Sequence, residues 1–153
     1  MHETALLTGV KILIVEAYAD VAYLYQMMLE LEGAKVTTTN RAHLAWAILE
    51  VEKFDVLITE FALPGETGLS LLQKLRAREA DYGGYTPAIA ITGRFSHVAK
   101  DQLVQKLRSA GFQAFLPKPI PVEELVGAVM HLTQSQADSH PTLSQEKLGE
   151  DGA

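Results

Sequence analysis

The chain has 153 residues, of which 48% are hydrophobic and 21% charged, enough apolar material for one sizeable core in an ordinary soluble domain. Its net charge of -6 gives it no general attraction to nucleic-acid phosphates or anionic lipid, so no direct nucleic-acid or membrane partner is expected. The absence of Cys excludes disulfides, thiolate metal sites and a cysteine nucleophile, and suits a cytoplasmic setting.

Residues 1–9 read as an N-terminal extension without the basic and apolar regions of a signal peptide, and no run approaches the roughly 18 apolar residues of a membrane span. Val10 to Val15 is short, β-branched and almost wholly apolar, as in a strand buried on both faces of a parallel sheet. From Asp20 to Glu32, Val21, Leu24, Met28 and Leu31 recur at helical spacing, and Gly33 stands where a left-handed cap would end the helix. Lys35 to Thr39 is β-prone, Asn40 is the expected N-cap of the next helix, and Ala42, Ala45 and Leu49 form that helix's apolar face.

Phe54 to Thr59 predicts a third strand running into Glu60, the turn Leu63-Pro64-Gly65-Glu66-Thr67-Gly68 and a helix bearing Leu69, Leu72 and Leu75. The stretch Ala80 to Thr86 reads as a loop. Ala88 to Thr92 predicts the fourth strand, followed by Gly93-Arg94-Phe95 and a helix capped by Ser96 that carries Leu103 and Leu107 and stops at Gly111. Gln113 to Leu116 is a short fifth strand, and after Pro117-Lys118-Pro119 the segment from Pro121 opens a last helix with Leu125, Val129 and Leu132 on one face. Alternation of this kind requires a parallel sheet with helices on both sides: an α/β doubly wound sandwich of five strand–helix pairs. The domain is expected over 10–132. Residues 133–153 are a polar tail or linker too poor in apolar residues to build a core, and are equally readable as the end of a stand-alone domain or as a connection to another.

Reactions in open parallel sheets gather at the carboxyl ends of the strands. Glu16 and Ala17, Glu60, Thr92 and Lys118 are expected there, bringing together two carboxylates, a hydroxyl and an ammonium. Each has a plain structural reading as well: solvated acids, a strand-end Thr, a surface Lys. The five His residues lack zinc-site spacing. Tyr23, Tyr25, Met27 and Met28 make a soft apolar cluster on the first helix, read as core and flank or as a partner surface.

The segments ILIVEAYAD, DVLITEFALPGETGLSLLQKLR, PAIAITG and AGFQAFLPKPIPVEEL, in this order over Val10 to Leu132, resemble the response-regulator receiver domains of two-component signalling. The resemblance implies the flavodoxin-like (βα)5 form of the doubly wound α/β sandwich, a five-stranded parallel sheet of order 2-1-3-4-5. It implies two acids after the first strand and an aspartate after the third that together hold magnesium, the aspartate accepting a phosphoryl group. It also implies a hydroxyl and a lysine that hold the phosphoryl oxygens, and an aromatic switch. Thr92, Lys118 and Phe115 match the last three places, and Pro119 is a cis candidate. Phe115 also reads simply as a core residue. The acidic positions depart from the pattern: Glu16 keeps a carboxylate, Ala17 replaces the second acid, and Glu60 stands in place of the acceptor. No metal site is expected from the remaining Glu16 and Glu60, beyond weak magnesium binding, because near-octahedral oxygen coordination tolerates misplacement poorly.

The expected module is therefore a degenerate pseudo-receiver: not an enzyme, not phosphorylated, and held in one state by a Glu60–Lys118 ion pair that partly mimics phosphorylation, with Thr92 donating to Glu60. Arg94 or His97 could supply positive charge beside Glu16 or Glu60. The expected partner is a protein, such as a histidine kinase or output domain, or a second copy through the face of the fourth helix, fifth strand and fifth helix. The alternative is a working phosphoacceptor fed by a histidine kinase. A flavin carrier or enzyme on the same fold finds no phosphate loop or catalytic motif in this chain.

Overall fold

The computed structural model describes residues 5–93 and 97–134, residues 97–100 by backbone alone. Five strands, β1 (Lys11–Val15), β2 (Lys35–Thr39), β3 (Val56–Glu60), β4 (Ala88–Thr92) and β5 (Ala114–Pro117), form one parallel sheet of order β2-β1-β3-β4-β5. Helices α1 (Ala19–Glu30), α2 (Ala42–Val51), α3 (Gly68–Arg76), α4 (His97–Ala110) and α5 (residues 122–134) connect or follow the strands. This is the expected doubly wound architecture. β1, β3 and β4 lie inside the sheet and are buried on both faces, which is why their middles are apolar and Lys11, Thr59, Glu60 and Thr92 fall at or next to their ends.

Strand periodicity divides the core in two. Ile12, Ile14, Val56, Ile58, Ile89 and Ile91 face α1 and α5 and pack with Tyr25, Leu29, Leu125 and Val129. Leu13, Val15, Leu57, Ala88 and Ala90 point the other way, onto Ala45 and Leu49 of α2, Leu71, Leu72 and Leu75 of α3, and Leu107 of α4. Successive residues of one strand thus feed opposite layers, and each strand needs an unbroken apolar run.

Several local expectations are corrected. The buried stripe of α1 is Ala22, Tyr25 and Leu29, whereas Leu24 and Leu31 are exposed. Of the Tyr/Met cluster, Tyr25 is core and Met28 packs against it, while Tyr23 and Met27 face outward. Arg41, not Asn40, is the N-cap of α2, and it makes no side-chain cap bond. The Ala80 to Thr86 loop contains a 3₁₀ turn, Ala80–Tyr82, closed by the left-handed Gly83. The expected Ser96 cap and the side chains of Arg94 and His97 lie outside the described residues.

The domain also reaches past both expected ends. Leu7 is fully buried, its N–H donates to Glu32 O at 2.8 Å, and Leu6 N–H reaches Glu32 Oε1 at 3.2 Å, so the last part of the N-terminal extension is packed beneath α1. Gly33 permits this: it takes φ +95°, and a Cβ there would lie 2.9 Å from Thr8 Oγ1. At the other end α5 continues to residue 134, with Thr133 Oγ1 donating back to Val129 O at 2.9 Å.

Candidate functional site

The carboxyl ends of β1, β3, β4 and β5 converge as the fold demands. Glu16 leaves β1 with its N–H bonded to Thr39 O of β2 at 2.9 Å, and only 1% of it is exposed. Glu60 is the last residue of β3, in register with Ile91 of β4, and is buried. Thr92 ends β4 and is buried too; Lys118, just past β5, donates its N–H to Thr92 O at 2.8 Å. The Lys118–Pro119 peptide is cis.

Glu60 is carried forward by the strand and backed by the turn that follows. Ala62–Leu63 pairs antiparallel with Glu66–Thr67, and Thr67 caps α3 by accepting from Ser70 N–H at 3.1 Å. Gly68 starts α3 so close to the end of β3 that a Cβ would meet Glu60 O at 2.4 Å. Glycine is therefore required there for packing. Removing the cap with Thr67→Ala is expected to lower unfolding stability by about 1 kcal/mol, read as a reduced urea midpoint at unchanged slope; no change would mean that the cap does not hold α3.

The side chains form one cluster. Lys118 Nζ lies 2.5 Å from Glu60 Oε2, in a hydrogen bond, and 2.7 Å from Glu16 Oε1. The second contact has the distance of an ion pair but not the geometry of a hydrogen bond, since Glu16 Oε1 is buried without a donor in line. Glu16 Oε2 accepts from Tyr18 N–H at 3.0 Å, and Glu60 Oε1 is sealed and has no donor. One ammonium thus serves two buried carboxylates, where the sequence suggested only a Glu60–Lys118 pair. That double contact depends on the relative heights of three strand ends and has no local sequence signal.

Burial pushes the Glu16 carboxyl above its ordinary range; Lys118 and the Tyr18 N–H pull it down, and the adjoining Glu60 pushes it up again. Burial works against the Lys118 charge, but the two carboxylates outweigh it and hold the ammonium above the usual lysine range. Burial also raises the phenol of Tyr25, which approaches the cluster from α1. Above the cluster opens a crevice of about 510 Å³ lined in part by Ala17, Tyr18, Glu60, Thr92 and Lys118. The Tyr18 ring, missed in the sequence, stands 5.8 Å from Lys118 Nζ. Phe115 is half-buried against the α2–α3–α4 layer and borders a groove of about 240 Å³ with Leu107, Arg108 and Phe112.

Residues 12–130 match the family described as response regulator receiver domain. The chain belongs to that family. A 14.6 kDa protein of Leptolyngbya boryana, uncharacterized by its own name, is similar to this receiver at 35% identity, covering 80% of this chain and 89% of that one. The sensory/regulatory protein RpfC of Xanthomonas campestris is 26% identical over 88% of this receiver, which spans only 18% of RpfC. Among solved structures, the receiver domain of the sensor histidine kinase PA1611 from Pseudomonas aeruginosa superposes with a TM-score of 0.72 at 26% identity, covering 83% of this chain and 99% of that one; it holds magnesium in its active site cleft.

The residues of this receiver do not fit that ion. Magnesium requires a near-octahedral set of oxygens at about 2.0–2.1 Å. Here Ala17 offers none, and an ammonium lies against both remaining carboxylates. Among the described residues, no group of three or more His, Cys, Asp or Glu could hold a metal ion, and no helix is long and apolar enough to cross a membrane.

Proposed function

We propose that this receiver is a pseudo-receiver: a non-catalytic, phosphorylation-independent signalling module that acts through protein contact. The observation that carries this reading is the Lys118 ammonium lodged against both Glu16 and Glu60. In phosphoryl transfer nearly all of the catalysis is positioning and charge neutralisation. Glu60 puts a longer carboxylate in the acceptor's place, and its partner lysine is already engaged. Ala17 contributes no ligand, so magnesium binds weakly at most and no acyl phosphate forms.

The same ion pair holds the ends of β1, β3 and β5 in one arrangement, so the face made by α4, β5 and α5 is presented constantly rather than on activation. A protein of a two-component pathway, either a histidine kinase or an output domain, is the fitting partner, with a second copy of the chain as the other possibility on that face. The acidic charge disfavours nucleic acid and membrane surfaces, and the setting is cytoplasmic.

Incubation with acetyl phosphate and magnesium, followed by intact-mass measurement, tests the reading. The expected result is no phosphoryl adduct. A stoichiometric adduct would establish the alternative, a working phosphoacceptor.

A further inference from the structure

We infer that the solvent face of α2 is a self-association surface, on which a second copy of this chain docks its own α2 antiparallel across a two-fold axis. This goes beyond the proposed function: it concerns a different face from that of α4, β5 and α5, and it does not depend on whether a phosphoryl donor reacts.

The first argument is apolar exposure. α2 buries Ala42, Ala45 and Leu49 against the sheet. Its opposite side carries Leu44, Ala47, Ile48 and Val51, at the i, i+3, i+4, i+7 spacing of a second apolar stripe. Leu44 is 43% exposed and Val51 85%; Ala47 is exposed and Ile48 half-buried. One stripe is enough to hold a helix to its sheet, and the side facing water ordinarily carries charge. Leu44 and Ile48 make an i, i+4 ridge, and the small Ala47 beside it leaves the groove that receives a facing ridge.

The second argument is charge, and it selects both the partner and its direction. The helix macrodipole favours acids at the N-terminus and cations at the C-terminus. α2 is charged the other way round. Arg41 is its N-cap, without a side-chain cap bond, and His43 lies in the first turn, whereas Glu50 lies in the last turn and Glu52 is the C-cap. No acid stands in the first turn and no base in the last. Within one chain this order costs stability. Against a second α2 running the opposite way it is complementary, because a two-fold axis sets the N-terminal end of each helix beside the C-terminal end of the other. His43 and Glu50 share one flank of the helix at i, i+7 spacing, so His43 of each copy meets Glu50 of the other, and Arg41 meets Glu52 on the far flank. Lys11 lies 2.6 Å from Glu52 and already neutralises part of its charge, which leaves Glu50 as the principal acid.

The helix has 10 residues and spans about 15 Å, so the contact is small and the dimer is weak and dependent on concentration.

Sedimentation velocity of the full chain, from micromolar to near-millimolar concentration and at low and high salt, tests the surface. The expected result is a monomer passing to a dimer, with the dimer weakened by salt because its flanking charges are exposed. Val51→Asp should keep the chain monomeric. Glu50→Lys gives the sharper reading, since its two effects have opposite signs. It corrects the match to the helix dipole and should raise the urea midpoint of the dilute monomer, yet it should weaken the dimer by about tenfold or more. Adding His43→Glu to Glu50→Lys should restore the dimer. A wild type that stays monomeric at near-millimolar concentration overturns the inference, as does a dimer indifferent to Val51→Asp or to Glu50→Lys, or one that His43→Glu does not restore. A dimer abolished instead by Arg108→Glu on α4 would move the association to the other face and equally overturn it. If Val51→Asp fails to fold, Glu50→Lys and its restoring partner, both at exposed positions, decide.

Discussion

Lys118→Met should destabilise this receiver by about 3–5 kcal/mol near neutral pH, the cost of removing one partner from a buried ion pair. Met keeps the apolar stem of lysine and removes only the charge, so lost packing contributes little. What remains is two buried carboxylates within reach of each other and no counter-charge from β5. Their ready response is to bind protons, so the deficit should shrink on acidification. The sign follows from linkage: Glu16, whose folded pKa burial already raises, binds its proton more tightly when folded, so stability grows as pH falls toward the unfolded value and declines as pH rises. Urea unfolding of wild type and variant at neutral and mildly acidic pH measures both effects. A loss below about 1 kcal/mol that does not change with pH would mean that the ammonium is an exposed pair of little consequence and that something else holds the strand ends together.

The second large effect is a gain of chemistry. The double variant Ala17→Asp with Glu60→Asp is expected to form an acyl phosphate with acetyl phosphate and magnesium, at a rate on the order of 10²-fold or more above the wild type, the scale of one well-placed electrostatic group at a reacting centre. Ala17 and Glu60 line the same crevice as Thr92 and Lys118, so an aspartate at 17 would return a carboxylate oxygen beside the pocket. Shortening Glu60 by one methylene withdraws its carboxylate from Lys118 Nζ and leaves the ammonium available to an incoming phosphoryl oxygen. Both changes are needed if metal and acceptor are separate defects. Glu60→Asp alone reaching the double variant's level would show that Ala17 is no impediment. An unreactive double variant would place the impairment elsewhere in the chain.

The two departures, Ala17 and Glu60, are legible in the sequence because the family resemblance fixes what belongs at the strand ends, and local pattern marks where those ends are. β1, β3 and β4 are central strands that must be apolar on both faces, so ILIV, VLIT and AIAIT mark them, and the next residue in each case is at the crevice. Helix faces were legible where apolar spacing was unambiguous, as for Ala42, Ala45 and Leu49 of α2. On α1 the same reading failed, because nearly every position carries an apolar residue and the sheet, not the helix, selects Ala22, Tyr25 and Leu29 as the inward stripe. Leu7 was missed for a related reason: an isolated Leu in a short polar stretch carries no period, and only the turn at Gly33 reveals that it is covered.

By itself, then, the amino-acid order determined the doubly wound sheet and which acid, hydroxyl and lysine stand at its strand ends, because periodicity and turn chemistry are properties of neighbouring residues; the order of the strands followed from the family resemblance. Only the tertiary structure decided that Lys118 serves Glu16 as well as Glu60, and that two carboxylate oxygens are left without donors. Those facts depend on distances among residues 16, 60 and 118, set by the parallel register of β1, β3, β4 and β5 and by burial beneath the surrounding loops. No local stretch of chain contains them.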